Sequence, residues 1–132
     1  MTPTILIIDD FASVRLYHTS FLTRKGYRCL GASSGPEALA CLRQQPVDLV
    51  LLDLVMPGMS GMELLATLAA DPALSRVPVI VVTSEGATDV EFPGGIPPGA
   101  VLSKPVPPAV LFQCVQRLLP APAAIGAAEP AA

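Results

Sequence analysis

Residues 50–63 read Val50-Leu51-Leu52-Asp53-Leu54-Val55-Met56-Pro57-Gly58-Met59-Ser60-Gly61-Met62-Glu63. Three apolar residues, preceded by Val47-Asp48-Leu49, end on an acid. A continuous apolar run of this length suits a strand covered on both faces of a parallel sheet. Ser60-Gly61-Met62-Glu63 then has the spacing of a capping box: a serine oxygen for the N3 amide, and a glutamate to reach back. It predicts a helix to about Ala70. The stretch is therefore a strand, an acidic loop and a helix, which is one β–α unit.

The same unit recurs on either side. Ile5-Leu6-Ile7-Ile8 predicts a first strand, and Asp9-Asp10 follow it directly. Val77-Pro78-Val79-Ile80-Val81-Val82 predicts another, followed by Thr83. Weaker strand candidates are Tyr27 to Gly31 and Ala100 to Leu102, the latter followed shortly by Lys104. A helix is predicted over 12–25, with Val14, Tyr17, Phe21 and Leu22 at helical spacing and Lys25-Gly26 as its stop. Ser34-Gly35-Pro36-Glu37 reads as a second capping box, opening a helix through Leu42. The last helix should run from about Pro107 to Leu118, with Val110, Leu111, Cys114, Val115 and Leu118 inward.

Repeated βα order implies an α/β fold: a doubly wound, five-stranded parallel sheet with helices on both faces. Ligands of such sheets sit at the carboxyl ends of the strands, near the switch point. One segment breaks the alternation. Residues 84–99, where a fourth helix should join the last two strands, hold three prolines and four glycines. A regular long helix is not expected there, at most one or two turns around Asp89 to Phe92.

Composition bounds the function. The chain has 132 residues, 52% of them hydrophobic and 14% charged, which favours a packed core over disorder. The net charge is −3 with no long basic run, so no nucleic-acid partner is expected. The apolar run at Ile5–Ile8 is too short for a membrane span or signal core, and the chain reads as cytoplasmic. Cys29, Cys41 and Cys114 have no metal-ligand spacing and read as reduced thiols. The Ala- and Pro-rich stretch 120–132 reads as a disordered tail or linker after a single domain at 3–119.

The chemistry lies in a joint pattern. A lone acid after a strand is usually a loop or cap residue. Here Asp9, Asp10 and Asp53, a hydroxyl at Thr83 and an ammonium at Lys104 all fall at strand ends that a doubly wound sheet brings together. Converging carboxylates repel, so the cluster needs a counter-charge, and hard Mg²⁺ favours such oxygen ligands.

At this point the sequence resembles the receiver domains of two-component response regulators. The motifs are Ile5-Leu6-Ile7-Ile8-Asp9-Asp10, the run Leu51 to Gly61, Val81-Val82-Thr83-Ser84 and Ser103-Lys104-Pro105. The size is similar to that of single-domain chemotaxis regulators. The resemblance implies a flavodoxin-like strand order 2-1-3-4-5 and a set of roles. Asp53 would be the phosphoacceptor. Asp9, Asp10, Asp53 and the backbone carbonyl of Val55 would hold Mg²⁺. Lys104 would pair with the phosphoryl group, Thr83 would be the switch hydroxyl, and Lys104-Pro105 would be a cis peptide. The implied partners are a histidine kinase or histidine phosphotransfer protein and an output protein.

Departures from the family pattern carry their own expectations. Val101-Leu102-Ser103 precede Lys104, so the aromatic member of the usual switch is missing, with Phe92 a less favoured substitute for it than a core residue. The degenerate fourth helix predicts a monomer or a non-standard dimer. Val55 should limit hydrolysis of the phosphoaspartate, while Glu85 could orient the water. His18, the one histidine, reads as a surface or helix-packing residue, and Met56 and Met59 as loop packing. Two other classes stay in view. One is a phosphorylation-independent binding module, which would need none of the five site residues. The other is an aspartyl-phosphate hydrolase, which would carry Asp-x-Asp where this chain has Asp9-Asp10-Phe11.

Overall fold

Every strand of the sheet ends on the same edge, and Asp9, Asp10, Asp53, Thr83 and Lys104 stand at that edge, at or just past the strand ends. A computed structural model describes residues 2–56, 58–83 and 100–119. The elements are β1 (Thr4–Ile8), α1 (Ala12–Arg24), β2 (Arg28–Ala32), α2 (Gly35–Gln44), β3 (Leu49–Asp53), α3 (Gly61–Ala70), β4 (Val79–Thr83), β5 (Val101–Ser103) and α4 (Pro108–Leu118). The five strands are parallel, in the order β2-β1-β3-β4-β5. This is the doubly wound, flavodoxin-like sheet that the sequence predicts.

Side chains of a strand alternate between faces, so each apolar run feeds two cores. Leu6, Ile8, Val50, Leu52 and Val81 pack with Ala38, Leu42, Leu64 and Leu68 of α2 and α3. Ile5, Ile7, Leu49, Leu51, Ile80 and Val82 pack with Leu22 of α1 and Leu111, Cys114 and Val115 of α4. Burial on both sides explains why β1 and β3 are uninterrupted apolar runs rather than alternating ones.

The helix starts follow their caps. Ser60 and Glu63 form the complete capping box: the Glu63 amide donates to Ser60 Oγ and the Ser60 amide to Glu63 Oε1, both at 3.2 Å. At α2 only half of the predicted box forms. The Glu37 amide donates to Ser34 Oγ, but the Glu37 carboxylate accepts from the amide of Ser33 instead of Ser34. After α1, Gly26 takes φ 98°, which ends the helix as expected.

Two helices sit at a slightly different phase from the predicted one. In α1 the buried residues are His18 and Leu22, while Tyr17 is 51% exposed. Hydropathy alone passes over His18, but i and i+4 share a face, and His18 lies on the Leu22 face. In α4, Leu111, Cys114 and Val115 are buried, but Val110 is 41% exposed and Leu118 only half-buried. Leu119 is buried instead, just past the helix end. Residues 84–99, with the degenerate fourth helix, Glu85 and Phe92, lie outside the described residues, as does 120–132.

Candidate functional site

The chain leaves β1 for β2 on one side of it and later returns as β3 on the other. Between the ends of β1 and β3 lies the switch point, and the acids stand there. Asp9 directly follows β1. Its amide donates to the Ala32 carbonyl at 3.1 Å, extending the β1–β2 ladder by one residue. Its Oδ1 accepts the Phe11 amide at 2.9 Å, which turns the chain toward α1. Asp53 is the last residue of β3, and its Oδ1 accepts the Val55 amide at 3.2 Å.

Each carboxylate of Asp9, Asp10 and Asp53 offers an oxygen within 4.8 Å of the others. Asp9 and Asp53 are 4% and 3% exposed, so these are not solvated surface acids. Among the described residues the one cation that pairs with these carboxylates is Lys104, whose Nζ lies 3.2 Å from Asp53 Oδ2 and 3.9 Å from Asp9 Oδ2. One ammonium leaves three carboxylates under-compensated. Burial is the main force holding the Asp9 carboxyl above its ordinary range, and the neighbouring Asp53 and Asp10 add to it. The Phe11 amide and Lys104 pull the other way.

The donor set fits a hard divalent cation. Its oxygens are all carboxylate, and Asp10 Oδ1 is buried with no hydrogen-bond partner among the described residues. An orphaned buried carboxylate oxygen is costly unless a cation completes it. Val55 stands beside the cluster with its side chain 67% exposed.

Lys104 is delivered by the other half of the sheet. Its amide donates to the Thr83 carbonyl at 2.8 Å, so the ends of β4 and β5 are tied at the residue that carries the ammonium. The Lys104–Pro105 peptide is cis, as the sequence reading expects. Thr83 itself is 7% exposed at the end of β4, one strand from Asp53.

Other candidates fall away from the site. His18 is buried, beside a groove of about 430 Å³ between α1 and the β5–α4 connection, which is the helix-packing reading. Met56 and Met59 pack into the core face shared by α2 and α3. The thiols of Cys29 and Cys114 are pushed up by burial, which makes them poor nucleophiles. Sequence reasoning missed Arg15, whose Nη1 donates to the Asp9 carbonyl at 2.6 Å. Nothing in the local pattern marks this arginine, because its target precedes it by six residues and faces it only once the turn is built.

Comparison with known proteins places the sequence and the fold in one family. The family model described as response regulator receiver domain matches residues 5–116. Protein PilH of Pseudomonas aeruginosa is 34% identical over 117 residues, covering 87% of this chain and 96% of that protein. The phosphate regulon transcriptional regulatory protein PhoB of the same organism is 36% identical over 118 residues, but the chain spans only 51% of it. Among solved structures, the chemotaxis protein CheY4 of Vibrio cholerae superposes with a TM-score of 0.81 at 27% identity, covering 90% of this chain and all of that one.

Proposed function

The chain belongs to the response regulator receiver domain family of two-component signalling, and from that premise we propose that Asp53 is its phosphoacceptor. Receiver domains are signalling modules rather than turnover enzymes. The observation that carries the proposal is the position of Lys104 Nζ, 3.2 Å from Asp53 Oδ2, with Asp9 and Asp10 in the same cluster.

In this reading an Asp53 carboxylate oxygen attacks the phosphorus of a phosphohistidine on a histidine kinase or phosphotransfer protein. A new O–P bond forms, the P–N bond breaks, and the departing imidazole takes up a proton. Asp9, Asp10, Asp53 and the Val55 carbonyl would hold Mg²⁺, which supplies charge neutralisation for the phosphoryl oxygens. Lys104 contributes the second positive charge, already directed at the attacked residue. Attack by a carboxylate oxygen of Asp53 requires no general base.

The product replaces a carboxylate by a group of about −2 charge. Thr83 stands at the end of the adjoining strand, and its hydroxyl would turn toward that group. Since the Thr83 carbonyl holds the Lys104 amide, movement at one strand end is transmitted to the other. An output protein would read the resulting change of surface. Without an aromatic residue at 101–103, that signal has to travel by a route other than ring rotation.

The test is incubation of the protein with acetyl phosphate and Mg²⁺, followed by intact-mass measurement. Wild type should gain one phosphoryl group, and Asp53→Asn should gain none. No gain on wild type, from acetyl phosphate or from any histidine kinase of the organism, would leave a phosphorylation-independent binding module as the better reading.

A further inference from the structure

Arg15 makes no ion pair among the described residues, where the only salt bridges are those of Lys104. Its guanidinium serves a neutral group instead. Nη1 donates to the Asp9 backbone carbonyl at 2.6 Å, a charge-assisted bond across six residues. To reach it, the stem leaves α1 and passes over β2 at Gly31. A Cβ placed on Gly31 would lie 3.7 Å from Arg15 Cδ and 3.8 Å from Nε. Glycine is a poor strand former, and its usual justification in a strand is a close approach by another group. Here the group is the arginine stem.

The target of the bond matters. The Asp9 carbonyl belongs to the peptide that joins Asp9 to Asp10, so its direction sets where both carboxylates are presented. Those carboxylates stand within 4.8 Å of each other and of Asp53, a crowding that pushes the turn open. On the chain side the turn is held by the Asp9 amide to Ala32 and the Phe11 amide to Asp9 Oδ1. Arg15 supplies the third hold, on the carbonyl oxygen of that peptide.

We propose that Arg15 is a positioning residue for the acidic cluster: it braces the Asp9–Asp10 peptide through a track left open by Gly31, and so sets the cluster's affinity for Mg²⁺. The proposal rests on the reading of the cluster as a cation-binding phosphoacceptor site. It predicts that two chemically unrelated substitutions have the same effect. Arg15→Met keeps the stem and loses the donor. Gly31→Val keeps Arg15 and fills its track, while favouring the strand. Gly31→Ala adds only an ordinary contact at 3.7 Å and serves as control.

Two measurements decide it. Mg²⁺ titration by calorimetry should show binding weakened roughly tenfold in Arg15→Met and Gly31→Val, the scale found for residues that orient metal ligands. Arg15→Lys should fall between, and Gly31→Ala should match wild type. In the metal-free protein, hydrogen exchange at the Phe11 amide should accelerate in the same two variants, with the amides of β3 unchanged. Wild-type exchange at Phe11 in Arg15→Met, or acceleration spread evenly through β1 and β3, overturns the brace. Absence of Mg²⁺ binding by wild type would instead refute the cation-site reading, and the exchange experiment would still judge Arg15.

Discussion

Lys104 Nζ stands 3.2 Å from Asp53 Oδ2, although the two residues come from strands that are not neighbours in the sheet. The lysine crosses over the end of β4 to neutralise an acid that is 3% exposed. Its own side chain is 30% exposed, so the pair lies between a surface and a buried bridge. Lys104→Met should therefore destabilise the metal-free protein by about 2 kcal/mol, because it strands a buried carboxylate. Urea unfolding checks this, and added Mg²⁺ should recover much of the loss. An unchanged midpoint would mean that Asp53 does not depend on the ammonium.

Asp9 is an acid penalised by its surroundings. Burial, Asp53 and Asp10 hold its carboxyl above the ordinary 3.8, so the stability it contributes is present below that value and lost as pH rises. At neutral pH the ionised form is a burden on the metal-free fold. Asp9→Asn keeps an oxygen for the Phe11 amide and removes the charge. It should raise the stability of the metal-free protein at pH 7.5 by about 1 kcal/mol and weaken Mg²⁺ binding. A lower melting temperature without Mg²⁺ would contradict the charge-crowding account.

Gly61 opens α3, and helix propensity alone would favour alanine there. Sterics oppose it. A Cβ on Gly61 would come within 2.6 Å of Leu54 Cα and 2.9 Å of the Asp53 carbonyl oxygen. These are backbone atoms, which cannot rotate away, and the Gly61 amide also donates to the Leu54 carbonyl at 2.9 Å. Gly61→Ala should cost about 2 kcal/mol and slow phosphorylation of Asp53, whose own peptide must shift. Thermal melts and acetyl phosphate kinetics measure the two effects together.

Val55 is 67% exposed beside Asp53, and its side chain offers a water no hydrogen bond. Val55→Asn should leave stability within about 0.5 kcal/mol, as exposed substitutions do. It should shorten the lifetime of phosphorylated Asp53 several-fold. The decay of the phosphorylated mass peak after removal of the donor reads this directly, and an unchanged decay would clear Val55 of any role in hydrolysis.

His18 is 7% exposed, and its Nδ1 has no partner among the described residues. Burial, reinforced by the charge of Lys104, pushes its pKa below 6.5. The unfolded chain then binds a proton that the folded chain refuses. Stability is full above pH 6.5 and is lost as pH falls from there toward the folded value, at up to about 1.4 kcal/mol per unit. The difference in unfolding free energy between wild type and His18→Leu, followed from pH 7.5 to 5, should change with this slope. A pH-independent difference would place the imidazole in contact with water.

Much of this protein is legible in local pattern alone. The apolar runs at Ile5–Ile8 and Val50–Leu52 are strands because both their faces must be buried. Asp9, Asp10, Asp53, Thr83 and Lys104 are site candidates because each stands where such a run ends. The Ser60–Glu63 box forms because its partners are three residues apart. What the sequence could not determine depends on groups far apart in the chain. The burial of His18 follows from where α1 settles beside Val82 and the connection to α4, which no periodicity specifies. Glu37 reaches Ser33 rather than Ser34 because a rotamer, not a spacing, selects the donor. The bond from Arg15 to the Asp9 carbonyl needs β1, β2 and α1 already in place, with Gly31 left bare between them. Local chemistry assigns residues to strand ends. Only packing brings Lys104 Nζ to 3.2 Å from Asp53 Oδ2, because that approach depends on strand order and register, which are properties of the whole sheet.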